Sequence, residues 1–236
     1  MLIRVAVENN IEGRSLASAL DFPGCFAYGS EEAEALIRMP QAVVAFKTWL
    51  DGCSSESWLK DLADFDIRLV ETFKAYNVDA AFQPDESGTL EINAWFHDDW
   101  RPLTELETTR GLQVVAWAHN DVLEMTAALT PAQLDQTFPE ERWSIRGVMG
   151  HIATAEWWYL DRLNMACVER KALPEDVLEK MEMTLANLQG MLPKTAGVEM
   201  VRGRSGEIWS PRKVLRRSCW HALDHCEHIH KLIVRL

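Results

Sequence analysis

Cysteine is scarce and scattered in this sequence. The five thiols (Cys25, Cys53, Cys167, Cys219 and Cys226) are odd in number and include no CxxC pair, which excludes a disulfide framework and a cysteine-built zinc site. A reducing cytoplasm is the expected location. Long apolar runs are missing as well. No stretch is long enough to span a bilayer, and the opening MLIRVAVENNIEGRS lacks the continuous apolar core of a secretory signal. Neither membrane association nor a signal peptide is expected. Positive charge is deficient in the first half alone: residues 1–100 hold 18 acidic and 7 basic side chains of the chain's 36 and 24. Repulsion from phosphate argues against nucleic acid as a partner there. The basic residues of VRGRS and PRKVLRR in the second half read as solvated surface.

What is present suits an ordinary globular chain. With 236 residues, 47% hydrophobic content and ten tryptophans, two modest domains can each bury a core. The first is expected over residues 1–100. There LIRVAV, RSLASAL and CFAYG read as short strands, punctuated as turns by IEG and FPG. SEEAEALIRMPQAVVAFKTWL then takes a helical period, with Ser30 as N-cap and Pro40 as a kink or a fresh start. FDIRLVETFKAY and TLEINAWFHDDW supply two further strands around the loop QPDESG. The fold class is α+β.

Residues 101–236 keep a helical period throughout. Four segments are expected as helices: one repeating Val114, Trp117, Val122, Met125 and Leu129; one from WSIRGVM onward; one with Leu178, Met181, Leu185, Leu188 and Leu192 at near-heptad spacing; and one capped by Ser210 with Pro211 at its first position. Four long amphipathic segments predict a four-helix bundle. WSIRGVM (143–149) and WSPRKVL (209–215) form a weak internal repeat, each a tryptophan leading into a serine-capped helix.

Four of the seven histidines crowd the stretch CWHALDHCEHIHKL at 219–232. His221, His225 and His228 fall at i, i+4 and i+7, on one helical stripe beside the apolar one. Two imidazoles on adjacent turns supply two ligands for a divalent transition metal, and a third must come from elsewhere. His151 lies eight residues after its helix-opening Trp143, and His221 and His225 lie twelve and sixteen after Trp209. These multiples of four put all three on matching faces. His119, His97 and His230 read as satisfied or exposed, and Asp224 is a candidate to orient a ligand imidazole. Glu156 and Asp224 are the nearby carboxyls that could act as acid or base, and neither is assigned a role.

On WSIRGVMGHIATAEWW and WSPRKVLRRSCWHALDHCEHI, the region from about 103 to 236 resembles the DinB/YfiT-like superfamily of four-helix bundles. The resemblance implies a metal site of His151 with the pair His221 and His225, His228 standing outside it; a shifted register would pair His225 with His228 instead. It further implies a divalent transition metal (zinc or nickel the first choices), a homodimer, and thiol S-transfer on a low-molecular-weight thiol or another small-molecule substrate. Hydrolysis by a metal-activated water is the second enzymatic option. On DFPGCFAYGSEEAEALIRMPQAV, the first domain resembles the HicB-like antitoxin domain, implying a small α+β scaffold for packing, dimerisation or ligand capture. The competing expectation is a non-catalytic dimeric binding or stress-response scaffold with a vestigial histidine cluster.

Overall fold

The computed structural model describes residues 1–60 and 62–236. Its contacts divide the chain into two compact units, residues 1–101 with 199–213, and residues 102–198 with 214–236. The expected domains divided the chain once, near residue 100. In the structure the segment 199–213 groups with the first unit.

The first unit is built on a four-stranded sheet. Strands β1 (Leu2–Ile11), β2 (Arg14–Ala19) and β3 (Phe26–Gly29) run as an antiparallel meander, helix α1 (Glu32–Cys53) follows, and β4 (Asp66–Lys74) returns parallel to β1, giving the order β3-β2-β1-β4. Helix α1 turns Ala35, Met39, Val43, Phe46 and Leu50 inward. A second apolar cluster gathers Ala6, Leu20, Ala94 and Phe96, with Phe73 packed against it. With apolar neighbours on both sides, Val5, Ala6 and Val7 are all buried in succession, which is why β1 does not alternate like a half-exposed strand.

Three local expectations change. Ser30 lies one residue before the N-cap, Glu31; its amide and hydroxyl both donate to Glu34 Oε2 at 2.7 and 2.6 Å. Pro40 sits on the exposed side of α1, which runs unbroken past it. The strand expected over TLEINAWFHDDW shrinks to β6 (Leu90–Ile92), paired with β5 (Tyr76–Val78). Beyond it the Ala94 amide donates to the Glu8 carboxylate at 2.6 Å rather than to a strand, and Phe96 N donates to Asp99 Oδ2 at 3.0 Å, starting a 3-10 turn at His97–Trp100.

The hairpin of β7 (Arg202–Arg204) and β8 (Glu207–Trp209) was not expected. Its two-residue loop, Ser205-Gly206, has positive φ at both positions (53° and 80°), the tight hairpin geometry for which glycine is favoured. Glu207 accepts from the Asn93 amide at 2.9 Å and pairs with the buried Lys213 ammonium at 3.6 Å. These polar contacts fasten the hairpin within the first unit.

The second unit holds α2 (Glu105–Thr126), the single turn α3 (Pro131–Leu134), α4 (Ile145–Arg162), α5 (Val177–Met191) and α6 (Pro211–Ile233), the last of which begins in the first unit. Their starts follow side-chain capping. Thr104 and Glu107 form a reciprocal capping box on α2, Ser144 accepts from Gly147 N at 3.2 Å, Asp176 accepts from two amides of α5, and Ser210 accepts from Lys213 N at 3.2 Å. All four long helices feed one core: Val122 from α2; Ile145, Val148, Met149, Ile152 and Ala153 from α4; Val177 and Met181 from α5; Ile229 and Leu232 from α6. On α5 the buried stripe is Val177, Met181, Thr184 and Leu188, and Leu178, expected inward, faces solvent. Thr184 is turned in because its hydroxyl has a buried partner, Glu156. No helix among the described residues is long and apolar enough to cross a membrane.

Candidate metal centre

Helices α4 and α6 bring three histidines together. On α4 the apolar face runs through Val148, Ile152 and Ala153, so His151 emerges at its margin, half-buried. On α6 the buried positions Ala222 and Ile229 flank a stripe that carries His221, 6% exposed, and His225, half-buried. The Nε2 atoms converge: His151 to His221 at 3.0 Å and His221 to His225 at 3.1 Å, with all three ligand atoms within 4.8 Å of one another. Among the described residues this is the one group of three or more such side chains placed to hold a metal ion.

The donor set fits a cation. A neutral imidazole Nε2 offers either one hydrogen or one lone pair, so His221 Nε2, in reach of two other Nε2 atoms, cannot make a good hydrogen bond to each. Three lone pairs directed at one ion would satisfy all three, and spacings near 3 Å match metal–nitrogen bonds of about 2.1 Å. With Nε2 as ligand atom, Nδ1 carries the proton, and the Nδ1 of His225 is buried with no hydrogen-bond partner among the described residues. Asp224 therefore makes no hydrogen bond to that nitrogen.

Burial and neighbouring charges keep the pair on α6 neutral. Burial, followed by the charges of His225, His151 and Arg217, holds the His221 pKa well below its ordinary value. Burial, then His151 and His228, pushes that of His225 down to about 3. Both are neutral at pH 7, the form that ligates.

His228 stands apart from the cluster. Its Nε2 lies 2.9 Å from Glu141 Oε2, so the register that would pair His225 with His228 is not the one in which the ligand atoms converge. His97 and His230 are exposed. His119 is buried and satisfied: its Nε2 lies 2.6 Å from Glu156 Oε1, and Thr184 Oγ1 donates to Glu156 Oε2 at 3.0 Å. Burial acts to lower the His119 pKa, but the charge of Glu156 and its hydrogen bond carry it above the ordinary value. Glu156 thus serves a polar link between α2, α4 and α5. Sequence spacing could not find it, because the partners come from three separate helices. Trp143 was read only as a helix anchor; its indole also stacks on His151, with centroids 4.3 Å apart and planes at 23°.

The helices, the ligand positions and the spacing direct the comparison with known families. A model of the DinB superfamily matches residues 115–229. No curated protein and no solved structure matches the chain. The matched segment contains His151, His221 and His225, and its similarity to the DinB superfamily agrees with the resemblance drawn from WSIRGVMGH and from HALDH.

Proposed function

We propose that the chain is a metal-dependent enzyme of the DinB-like type, with His151, His221 and His225 as ligands and the helices of the second unit forming a four-helix bundle around them. The observation that carries this reading is the convergence of three Nε2 atoms, two of them on histidines held neutral by burial. A divalent ion bound there would act as a Lewis acid and lower the pKa of a thiol or water in an open coordination position. Transfer of a low-molecular-weight thiol to an electrophile is the first reaction to examine, and hydrolysis the second. Zinc and nickel are the first metals to try, since imidazole suits both.

The chain's own residues contribute orientation and exclusion of water. His221 is packed edge-on against the rings of Tyr159 and Trp220, at 6.0 and 5.9 Å between centroids. The first unit, whose Phe22–Cys25 turn and α1 carry the HicB-like resemblance, is read as a scaffold that supports the enzyme as a homodimer.

Elemental analysis of the untagged protein beside the double variant His221→Ala/His225→Ala tests the centre. About one equivalent of a transition metal in the wild type and none in the variant is the expected result. A metal-free wild type whose melting temperature is unmoved by added zinc or nickel would remove the basis of the enzyme reading.

A further inference from the structure

Trp143 occupies the position just before the N-cap Ser144 of α4. A hydrophobic residue there commonly packs back on the fourth helical position, which is Val148. Trp143 does pack against the core cluster that contains Val148, but its indole also reaches two turns forward and lies flat on His151, at 4.3 Å and 23°. Gly147 makes the room: a Cβ at that position would stand 2.9 Å from Trp143 Cβ and 3.4 Å from two of the indole ring atoms. The same indole meets His225 edge-on, at 6.4 Å and 77°. One side chain therefore touches ligand rings from both α4 and α6.

The chain on either side of the indole is tied down. Glu141 accepts from His228 at 2.9 Å and from Arg235 at 3.2 Å; Glu140 also pairs with Arg235, whose guanidinium lies 4.0 Å from the Phe138 ring centroid. Segment 138–141 is thereby fastened to the last turns of α6, through His228, and to the residues just after it, through Arg235. Arg142, next in sequence, places its guanidinium over the indole at 4.5 Å, a favourable cation–π geometry.

Metal-binding histidines are usually aimed by a hydrogen bond from their second ring nitrogen to a carboxylate or carbonyl. Among the described residues His225 has no such bond at Nδ1. Packing has to do that work here. We infer that Trp143, held by the 138–141 tether, is a positioning residue that fixes the rings of His151 and His225 for metal binding. This inference rests on the metal reading of the tri-histidine cluster.

The counterpart tryptophan of the internal repeat marks the difference. Trp209 is fully buried in the first unit and lies over the Lys213 ammonium at 4.3 Å, the environment of a plain anchor. Trp143 is only half-buried and faces ligands. A merely structural Trp143 would alter stability and leave the coordination sphere unchanged.

Cobalt(II) titration of the full-length protein, read by its visible absorption bands, separates the two roles. Trp143→Ala is expected to weaken cobalt binding about tenfold or more and to change the band pattern, whereas Trp143→Phe keeps a flat ring and returns both close to wild type. Gly147→Ala provides a second variant should Trp143→Ala fail to fold. It displaces the indole while adding helix propensity that offsets part of the clash, so affinity should fall in a chain that still folds. Wild-type affinity and bands in Trp143→Ala, or in Gly147→Ala if the former does not fold, would overturn the positioning role while leaving the metal centre standing. A wild type that takes up no cobalt would overturn the metal reading and the role of Trp143 with it.

Discussion

Replacing Glu156 by Gln tests whether the link beneath the core of the second unit is an ion pair. The substitution preserves volume, so it opens no cavity, and with the amide oxygen toward His119 the amide nitrogen can donate to the Thr184 hydroxyl. What it removes is the charge 2.6 Å from His119 Nε2, between side chains 3% and 1% exposed. The raised pKa of His119 means that its contribution to stability is fully present below the unfolded value of about 6.5 and is lost as pH rises through the folded value. Removing one partner of a buried pair costs about 3–5 kcal/mol, and that cost is expected at pH 6, where the variant must bury an unpaired imidazolium or give up its proton. At a pH above the folded value a neutral His119 can still donate to the Gln oxygen, and the cost should fall to about 1 kcal/mol, that of one ordinary hydrogen bond. Urea denaturation followed by circular dichroism, with chelator present, measures both. Taking the difference between variant and wild type at each pH cancels the titrations of His221 and His225. An equal cost at the two pH values, or less than about 1 kcal/mol at pH 6, would refute the ion pair.

Other expectations follow from the same geometry. Because the pKa values of His221 and His225 are depressed, with His225 near 3, the unfolded chain binds more protons than the folded one below about pH 6.5. The metal-free protein should therefore lose stability as pH falls from about 6.5 toward 3, by up to about 1.4 kcal/mol per pH unit for each histidine; a slope no smaller in His221→Ala/His225→Ala would refute this. Gly111→Ala would set a Cβ 2.6 Å from both δ-carbons of Leu215, itself 1% exposed. Overpacking of about 1–3 kcal/mol should outweigh the helix-propensity gain of roughly 1 kcal/mol, so a raised melting temperature would count against that contact. Saturating zinc or nickel, at about a hundredfold over its dissociation constant, should stabilise the wild type by about 2.7 kcal/mol in denaturant titrations and the double histidine variant not at all.

Much of this architecture was readable from local rules. The strands over LIRVAV and RSLASA, the caps Ser144 and Ser210, and the stripe of His221 and His225 depend on residues close in sequence, and all appear where local composition, period and capping place them. Expectations failed where distant partners compete for a local preference. The Ala94 amide is claimed by Glu8, which ends the strand expected through TLEINAWF; Thr184 is turned inward by Glu156; and Glu207 with Lys213 fastens a hairpin within the first unit although residues 102–198 separate it from the rest of that unit.

The same division holds at the candidate site. Helical periodicity by itself determined that His221 and His225 share a face, because one turn of helix repeats every 3.6 residues whatever surrounds it. Only the tertiary structure decided that His151 reaches them, that His228 turns to Glu141 instead, and that Trp143 stacks on the His151 ring. Those outcomes depend on how α4, α6 and the 138–143 segment pack, and packing is set by the sum of many contacts between residues far apart in the chain.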